Sequence, residues 1–311
     1  MVLDPPLARP LLGRLTVIGL GLIGSSILRA AQMRNLAETL VAYDGAEAVR
    51  RRVTELGIAD IVAETPGEAV VDADIVILCV PVGAMGAVAQ AIGPQLKPGA
   101  IVSDVGSVKG AVLAALREHL PEGIHIIPGH PVAGTEYSGP DAGFATLFQN
   151  RWSILTPPEG ADEDAVTKLS ALWTAMGANV ETMTPEHHDL VLAITSHVPH
   201  LIAYNIVGTA ADLEEVTQSE VIKYSAGGFR DFTRIAASDP TMWRDVFLNN
   251  REAVIEVLGR FTEDLIALQR AIRWNEGETL FDLFTRTRAI RRSIIEIGQE
   301  TAAPDFGRER G

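Results

Sequence analysis

The residues of this 311-residue chain best suited to chemistry are serines, histidines and an arginine set beside glycines. Gly19-Leu20-Gly21-Leu22-Ile23-Gly24 comes first. It follows an apolar run and opens a helix-like segment, the context a dinucleotide fingerprint needs. On that reading Gly19 makes the tight turn, Gly21 lets backbone approach a pyrophosphate, and Gly24 permits close helix–strand packing. Leu22 and Ile23 then begin a helix whose free N–H groups and positive dipole end suit phosphate. An ordinary tight turn between strand and helix is the plainer alternative. Asp44 closes the second run, where a carboxylate can bond the adenosine ribose hydroxyls and repel a 2′-phosphate, favouring NAD over NADP. Arg50-Arg51-Arg52 either weakens that preference or forms only a solvated helix face. Val80 and Pro81 end a further run and are expected to line the cofactor, with Cys79 beside them a small buried apolar residue.

Ser103-Asp104-Val105-Gly106-Ser107-Val108-Lys109 leaves one strand and enters a helix, so Ser107 is either an N-cap or a substrate hydroxyl partner. Gly129-His130-Pro131 follows the sixth strand. Ligands of an open parallel sheet lie beyond the carboxyl ends of its strands, so Ser107, His130 and the fingerprint should converge. A neutral His130 would accept a proton there, with an acid limb at roughly pH 6–7. Ser196-His197-Val198-Pro199-His200 lies in a long helical pattern, with Asp189, Ser196 and His200 on one stripe and a kink expected at Pro199. That stripe reads as a polar substrate wall. Satisfied structural histidines are the alternative, and His197-x-x-His200 lacks the further ligands a metal would need. Arg234 shares a helix face with Asp231; it either pairs on the surface or offers a fork of donors to a carboxylate.

Elements that would position these residues divide the chain in two. From about residue 14 to 183, short apolar runs (Leu15–Gly19, Thr39–Tyr43, Asp74–Val80, Ala100–Asp104, His125–Pro128, Ser153–Thr156, Asn179–Met183) alternate with helical stretches. Near-continuous Val, Ile and Leu in several runs indicates strands buried on both faces of a doubly wound parallel sheet. After Pro185 only long helical patterns remain, over about 186–212, 240–274 and 277–299. The expected domains are 1–184 and 185–311, the second with wide apolar faces suited to a homodimer. Twenty-six basic against forty acidic residues, a net charge of −14, argue against nucleic acid as a partner. One cysteine excludes an internal disulfide and multi-cysteine metal sites. No stretch approaches the ~18–20 uninterrupted apolar residues needed to cross a bilayer, and the N-terminus lacks a signal-peptide pattern, so a cytoplasmic protein is expected.

The ordered blocks GLGLIGSS (19–26), SDVGSVKG (103–110), GHPVAGTE (129–136), SHVPH (196–200) and GGFRDFTRIAASDPTMW (227–243) resemble the prephenate/arogenate (cyclohexadienyl) dehydrogenases of tyrosine biosynthesis, over nearly the whole chain. The resemblance implies an α/β Rossmann-type doubly wound domain followed by an all-α dimerisation domain, with NAD as cofactor and no metal. It matches His130 to the catalytic histidine and Ser107 to its hydroxyl partner. Ser196, His197, His200, Arg234 and Trp243 match substrate-side positions, and Thr135 and Glu136 the adjoining loop. Without room for an appended regulatory or chorismate mutase domain, a monofunctional enzyme is implied. Two rivals differ in their chemistry: a β-hydroxyacid or imine-type dehydrogenase would want a lysine in the helical half, where Lys223 stands, and a non-catalytic NAD sensor would need none of these side chains.

Overall fold

The computed structural model describes residues 5–135, 137–217 and 227–296. Glu136, Lys223 and the terminal residues 301–311 lie outside them. By contact the chain forms two compact units, one reaching to Val254 and one beginning at Ile255.

In the first unit, strands β1 (Leu12–Ile18), β2 (Ala37–Tyr43), β3 (Ile61–Val62), β4 (Ile75–Leu78), β5 (Ile101–Asp104) and β6 (His125–Ile126) form one sheet in the order β3-β2-β1-β4-β5-β6. Every pairing in it is parallel. Helices α1 (Leu22–Arg34), α2 (Glu47–Leu56), α3 (Pro66–Val70), α4 (Met85–Ile92) and α5 (Gly110–His119) connect the strands. Successive strand side chains point to opposite faces. Val17, Ile75, Ile77 and Ile101 therefore enter one core with Ile27 and Leu28 of α1. Ile18, Val76, Leu78 and Val102 enter the other, with Met85 and Ile92 of α4 and Val112 and Leu116 of α5. Both faces being covered explains the continuous apolar runs.

The structure corrects the single-sheet expectation at its far end. The run 125–128 does not continue as one strand into His130. Its first two residues form β6, while β7 (Gly129–Pro131) joins a separate sheet with β8 (Trp152–Leu155) and β9 (Asn179–Thr182), in the order β7-β8-β9. There β7 and β8 are antiparallel. Thr156 N–H bonds the Pro128 carbonyl at 2.8 Å, so the chain changes sheets at a proline that has no N–H to donate. α6 (Glu163–Ala175) buries Trp173 edge-on against Phe148, centroids 5.2 Å apart.

No strand follows β9 among the described residues. Thr184 caps α7 (Pro185–Leu192) by accepting from His187 N–H at 3.2 Å, with Pro185 in the first turn. A π turn over Ala193–His197 then leads into α8 (Val198–Thr217). Pro199 thus sits just past a widened turn, which accommodates its missing donor. Asp239 caps the helix Pro240–Asn249 through Met242 N–H at 2.8 Å. The expected helix over 240–274 is broken at Asn250, which separates Pro240–Asn249 from Arg251–Arg273. The second unit holds the rest of that helix and the helix Gly277–Glu296, with Trp274, Phe281, Phe284 and Ile290 exposed.

The helical run Pro185–Leu213 is long and apolar enough to cross a bilayer by length and composition. Only one face of it is committed inward, through His188, Asp189 and His197; Leu190, Ile194, Ile206, Val207 and Leu213 are exposed.

Candidate active site

Register aligns the carboxyl ends of the central strands: Ile18 pairs with Tyr43 and with Leu78, and Leu78 with Asp104. Gly19–Gly24, Asp44, Val80–Pro81 and Ser107 therefore leave the sheet along one edge. Gly19 has φ +93°, and a Cβ there would overlap the Cys79 carbonyl oxygen. At Gly24, inside α1, a Cβ would strike the Gly19 carbonyl oxygen, so both positions require glycine. Gly21 differs, because nothing lies within 4 Å of a Cβ built on it. It caps α1 without any side-chain hydrogen bond, leaving the N–H groups of the first turn, Leu22 and Ile23 included, for a ligand.

The Asp44 carboxylate braces this loop, accepting from Leu20 N–H at 2.8 Å and Ala46 N–H at 2.9 Å. Its neighbouring arginines are engaged elsewhere. Arg50 bonds the Asp44 carbonyl at 2.9 Å and Glu64 at 3.2 Å; Arg51 meets Glu47, and Arg52 meets Asp141 and Glu55. Arg51 and Arg52 thus fit the solvated-face alternative, while Arg50 lies largely buried over the Tyr43 ring. Val80 is half-buried and Pro81 exposed at the end of β4. Cys79 is half-buried, and burial followed by the Asp104 charge pushes its thiol well above the ordinary value. An open glycine, a bare helix start and a carboxylate at the β2 end fit a dinucleotide.

His130 lies buried in β7 near the same edge. Its Nδ1 is 2.9 Å from His188 Nε2, and His188 Nδ1 is 2.8 Å from Asp189 Oδ1. Asp189 also accepts from the backbone N–H groups of Lys109 and Gly110, each at 2.8 Å, at the start of α5. Below β7, Lys109 and Asp104 form a fully buried ion pair. Lys109 Nζ further donates to the Gly129 carbonyl at 2.6 Å, and Asp104 accepts from Gly129 N–H at 3.2 Å and Gly106 N–H at 2.7 Å. Burial pushes Asp104 up and Lys109 down, while their mutual contact opposes both shifts. Breaking such a pair from one side costs about 3–5 kcal/mol, so it pins the backbone that carries His130.

Burial, then the neighbouring His188, Lys109 and His197 charges, hold His130 well below the ordinary histidine value. Burial likewise lowers His188, against the opposing pull of Asp189, and lowers His197 to about 4. The cluster is thus neutral near neutral pH, and the sequence-based acid limb at roughly pH 6–7 shifts to lower pH.

His197 faces inward from the π turn. Asn250 Nδ2 donates to its Nδ1 at 3.0 Å and to the Asp189 carbonyl at 2.8 Å. The Ser107 backbone adjoins the same ring, which brings Ser107 and His197 together. Trp243 is buried and stacks on His200, centroids 3.7 Å apart and planes 25° apart, while meeting His197 edge-on at 6.1 Å. His200 Nδ1 donates to the Ser196 carbonyl at 2.7 Å; Ser196 itself is half-buried. Arg234 is exposed in the turn Arg234–Ala237, and its charge acts on His200. Asp231 contacts Arg230 at 3.6 Å rather than Arg234. Thr135 is half-buried, its hydroxyl accepting from Tyr137 N–H at 3.1 Å, and Glu136 lies outside the described residues. His197 and His200 hold different partners, and no metal-ligating group of three or more occurs among the described residues.

Three participants were not expected from the sequence: His188, Asn250 and the Lys109–Asp104 pair. The advance signals were the His187-His188-Asp189 run near a helix start and the block SDVGSVKG, which holds Asp104 and Lys109 without marking them as a pair.

A dinucleotide cradle opening onto the same edge as a neutral, buried histidine defines a nicotinamide-dependent type of dehydrogenase. The chain belongs to the prephenate dehydrogenase family: its residues 28–182 match the family's nucleotide-binding domain and 184–286 its dimerization domain. It is 44% identical to a cyclohexadienyl dehydrogenase of Zymomonas mobilis over 90% of this chain and 95% of that protein. A prephenate dehydrogenase of Bacillus subtilis is 32% identical, over 93% of this chain and 77% of its own length. Among solved structures, prephenate dehydrogenase of Aquifex aeolicus with hydroxyphenyl propionate and NAD+ superposes with TM-score 0.85 at 31% identity, covering 93% of this chain and 99% of that one.

Proposed function

We propose that the chain is an NAD-dependent dehydrogenase that oxidises and decarboxylates prephenate to 4-hydroxyphenylpyruvate, with arogenate, which would yield tyrosine, as a second substrate. One observation carries the reading: His130 is buried, with its Nδ1 2.9 Å from His188 Nε2, in a chain whose first strand ends in an open glycine cradle at Gly21. NAD, when bound, supplies the hydride acceptor. His130 takes the proton of the ring hydroxyl as hydride leaves the same carbinol carbon. The resulting ketone drives loss of carbon dioxide, and the proton returns to oxygen as the ring becomes a phenol. Ser107 holds the hydroxyl or imidazole in line, and Arg234 a substrate carboxylate. Ser196, His197, His200, Trp243, Thr135 and Glu136 form the remaining substrate wall. NADH formation measured with prephenate, arogenate and a simple β-hydroxyacid tests this; turnover of the β-hydroxyacid alone would refute it.

Asp44 makes a second prediction. NAD is used at least ~10-fold more efficiently than NADP, a gap of ~1.4 kcal/mol. Equal kcat/KM values for the two cofactors would refute the role of Asp44.

The domain boundary falls at 184/185, supported by β9 ending at Thr182 and α7 starting at Pro185. A homodimer joined through the helical part is supported by the exposed apolar face of Leu190, Ile194, Ile206 and Val207, which a second copy would cover. A single cysteine and an acidic surface suit the reducing cytoplasm.

A further inference from the structure

We propose that His188 and Asp189 are positioning residues that fix which nitrogen of His130 acts, an inference resting on His130 being the base. Burial works to raise the Asp189 pKa, but bonds from His188, Gly110 N–H and Lys109 N–H together hold it below the ordinary carboxylate value. A carboxylate can only accept, so His188 carries its proton on Nδ1, 2.8 Å away. Neutral His188 then presents a lone pair at Nε2, 2.9 Å from His130 Nδ1. His130 Nδ1 must donate into it, since the other tautomer would set two lone pairs against each other. The basic lone pair of His130 is therefore on Nε2.

When Nε2 takes the substrate proton, the Nδ1–H bond to His188 becomes charge-assisted, with the Asp189 charge behind it. This is the orienting third group of a nucleophile–base constellation, extended by one histidine. Asp189 does a second job with the same carboxylate. Its bonds to Lys109 N–H and Gly110 N–H tie down the start of α5, directly after the loop carrying Ser107. One side chain on α7 thereby sets the tautomer of the base and the placement of its hydroxyl partner.

Nitrogen NMR of the full-length, histidine-labelled protein near neutral pH tests the tautomer without any turnover. The His130 signals, assigned by their loss in His130→Asn, should show a protonated Nδ1 and an unprotonated Nε2. The opposite pattern overturns the proposal whatever the enzyme does, whereas normal turnover of His130→Asn would instead refute the base reading. In kinetics, His188→Leu removes the acceptor and should lower kcat ~10²-fold with little change in KM, by analogy with wrong-tautomer triad variants. His188→Gln restores an acceptor oxygen and should recover at least ~10-fold of that loss. Full activity in His188→Leu, or no recovery in His188→Gln, would refute the positioning role.

Discussion

Replacing His130 with Asn lowers kcat for prephenate by ~10²–10⁴-fold, the usual worth of a general base, and leaves NAD affinity nearly unchanged. The chemistry is lost while the cradle formed by Gly19, Gly21 and Gly24 stays intact. Wild-type pH dependence provides a companion signature. Protonation removes the base, so kcat/KM falls as pH drops through the His130 value. Burial first, and then the charges of His188, Lys109 and His197, hold that value well below 6.5. The plateau should therefore extend below the ordinary histidine range of roughly 6–7, and the limb attributable to His130 should vanish in His130→Asn. Near-normal turnover in the variant would make His130 structural. A wild-type limb at or above the ordinary value would point to a different base.

Arg234→Gln raises KM for both prephenate and arogenate by at least ~10-fold, with a smaller effect on kcat, because a carboxylate clamp acts before and during hydride transfer. The two substrates share the ring carboxylate and differ in a side-chain keto or ammonium group. A lost charge-assisted, bidentate contact costs on the order of 1.5–3 kcal/mol. Arg234 stands exposed where its charge acts on His200, the ring stacked on Trp243, so the clamp would lie at the rim of that stack. KM values for both substrates in wild type and variant decide the matter. A loss confined to one substrate would place Arg234 at the side-chain pocket instead of at the shared carboxylate.

Much of this was legible because the determinants are local. The turn at Gly19, the close packing at Gly24 and the helix starts at Pro185 and Asp239-Pro240 each act within a few residues, and each stands where the chain pattern predicts. Strands buried on both faces announced themselves as continuous apolar runs, and five motif blocks sufficed for the family. Strand order also placed His130, Ser107 and the fingerprint near one edge, since connections in a parallel sheet return there.

What the chain pattern left open depends on contacts between residues far apart along it. His130 and His188 are 58 positions apart, Lys109 and Asp189 are 80 apart, and Asn250 and Asp189 are 61 apart. Periodicity reports which face of an element is apolar, and it carries no information about which polar group from another element will meet that face. Likewise, the run 125–128 leaves one sheet where the Thr156 N–H takes the Pro128 carbonyl, and the π turn before Pro199 carries His197, which meets Asn250 53 positions on. Local sterics chose the elements and the fingerprint. Folding chose the ring nitrogen on which His130 carries its lone pair, because only the packed chain brings His188 within hydrogen-bonding distance of it.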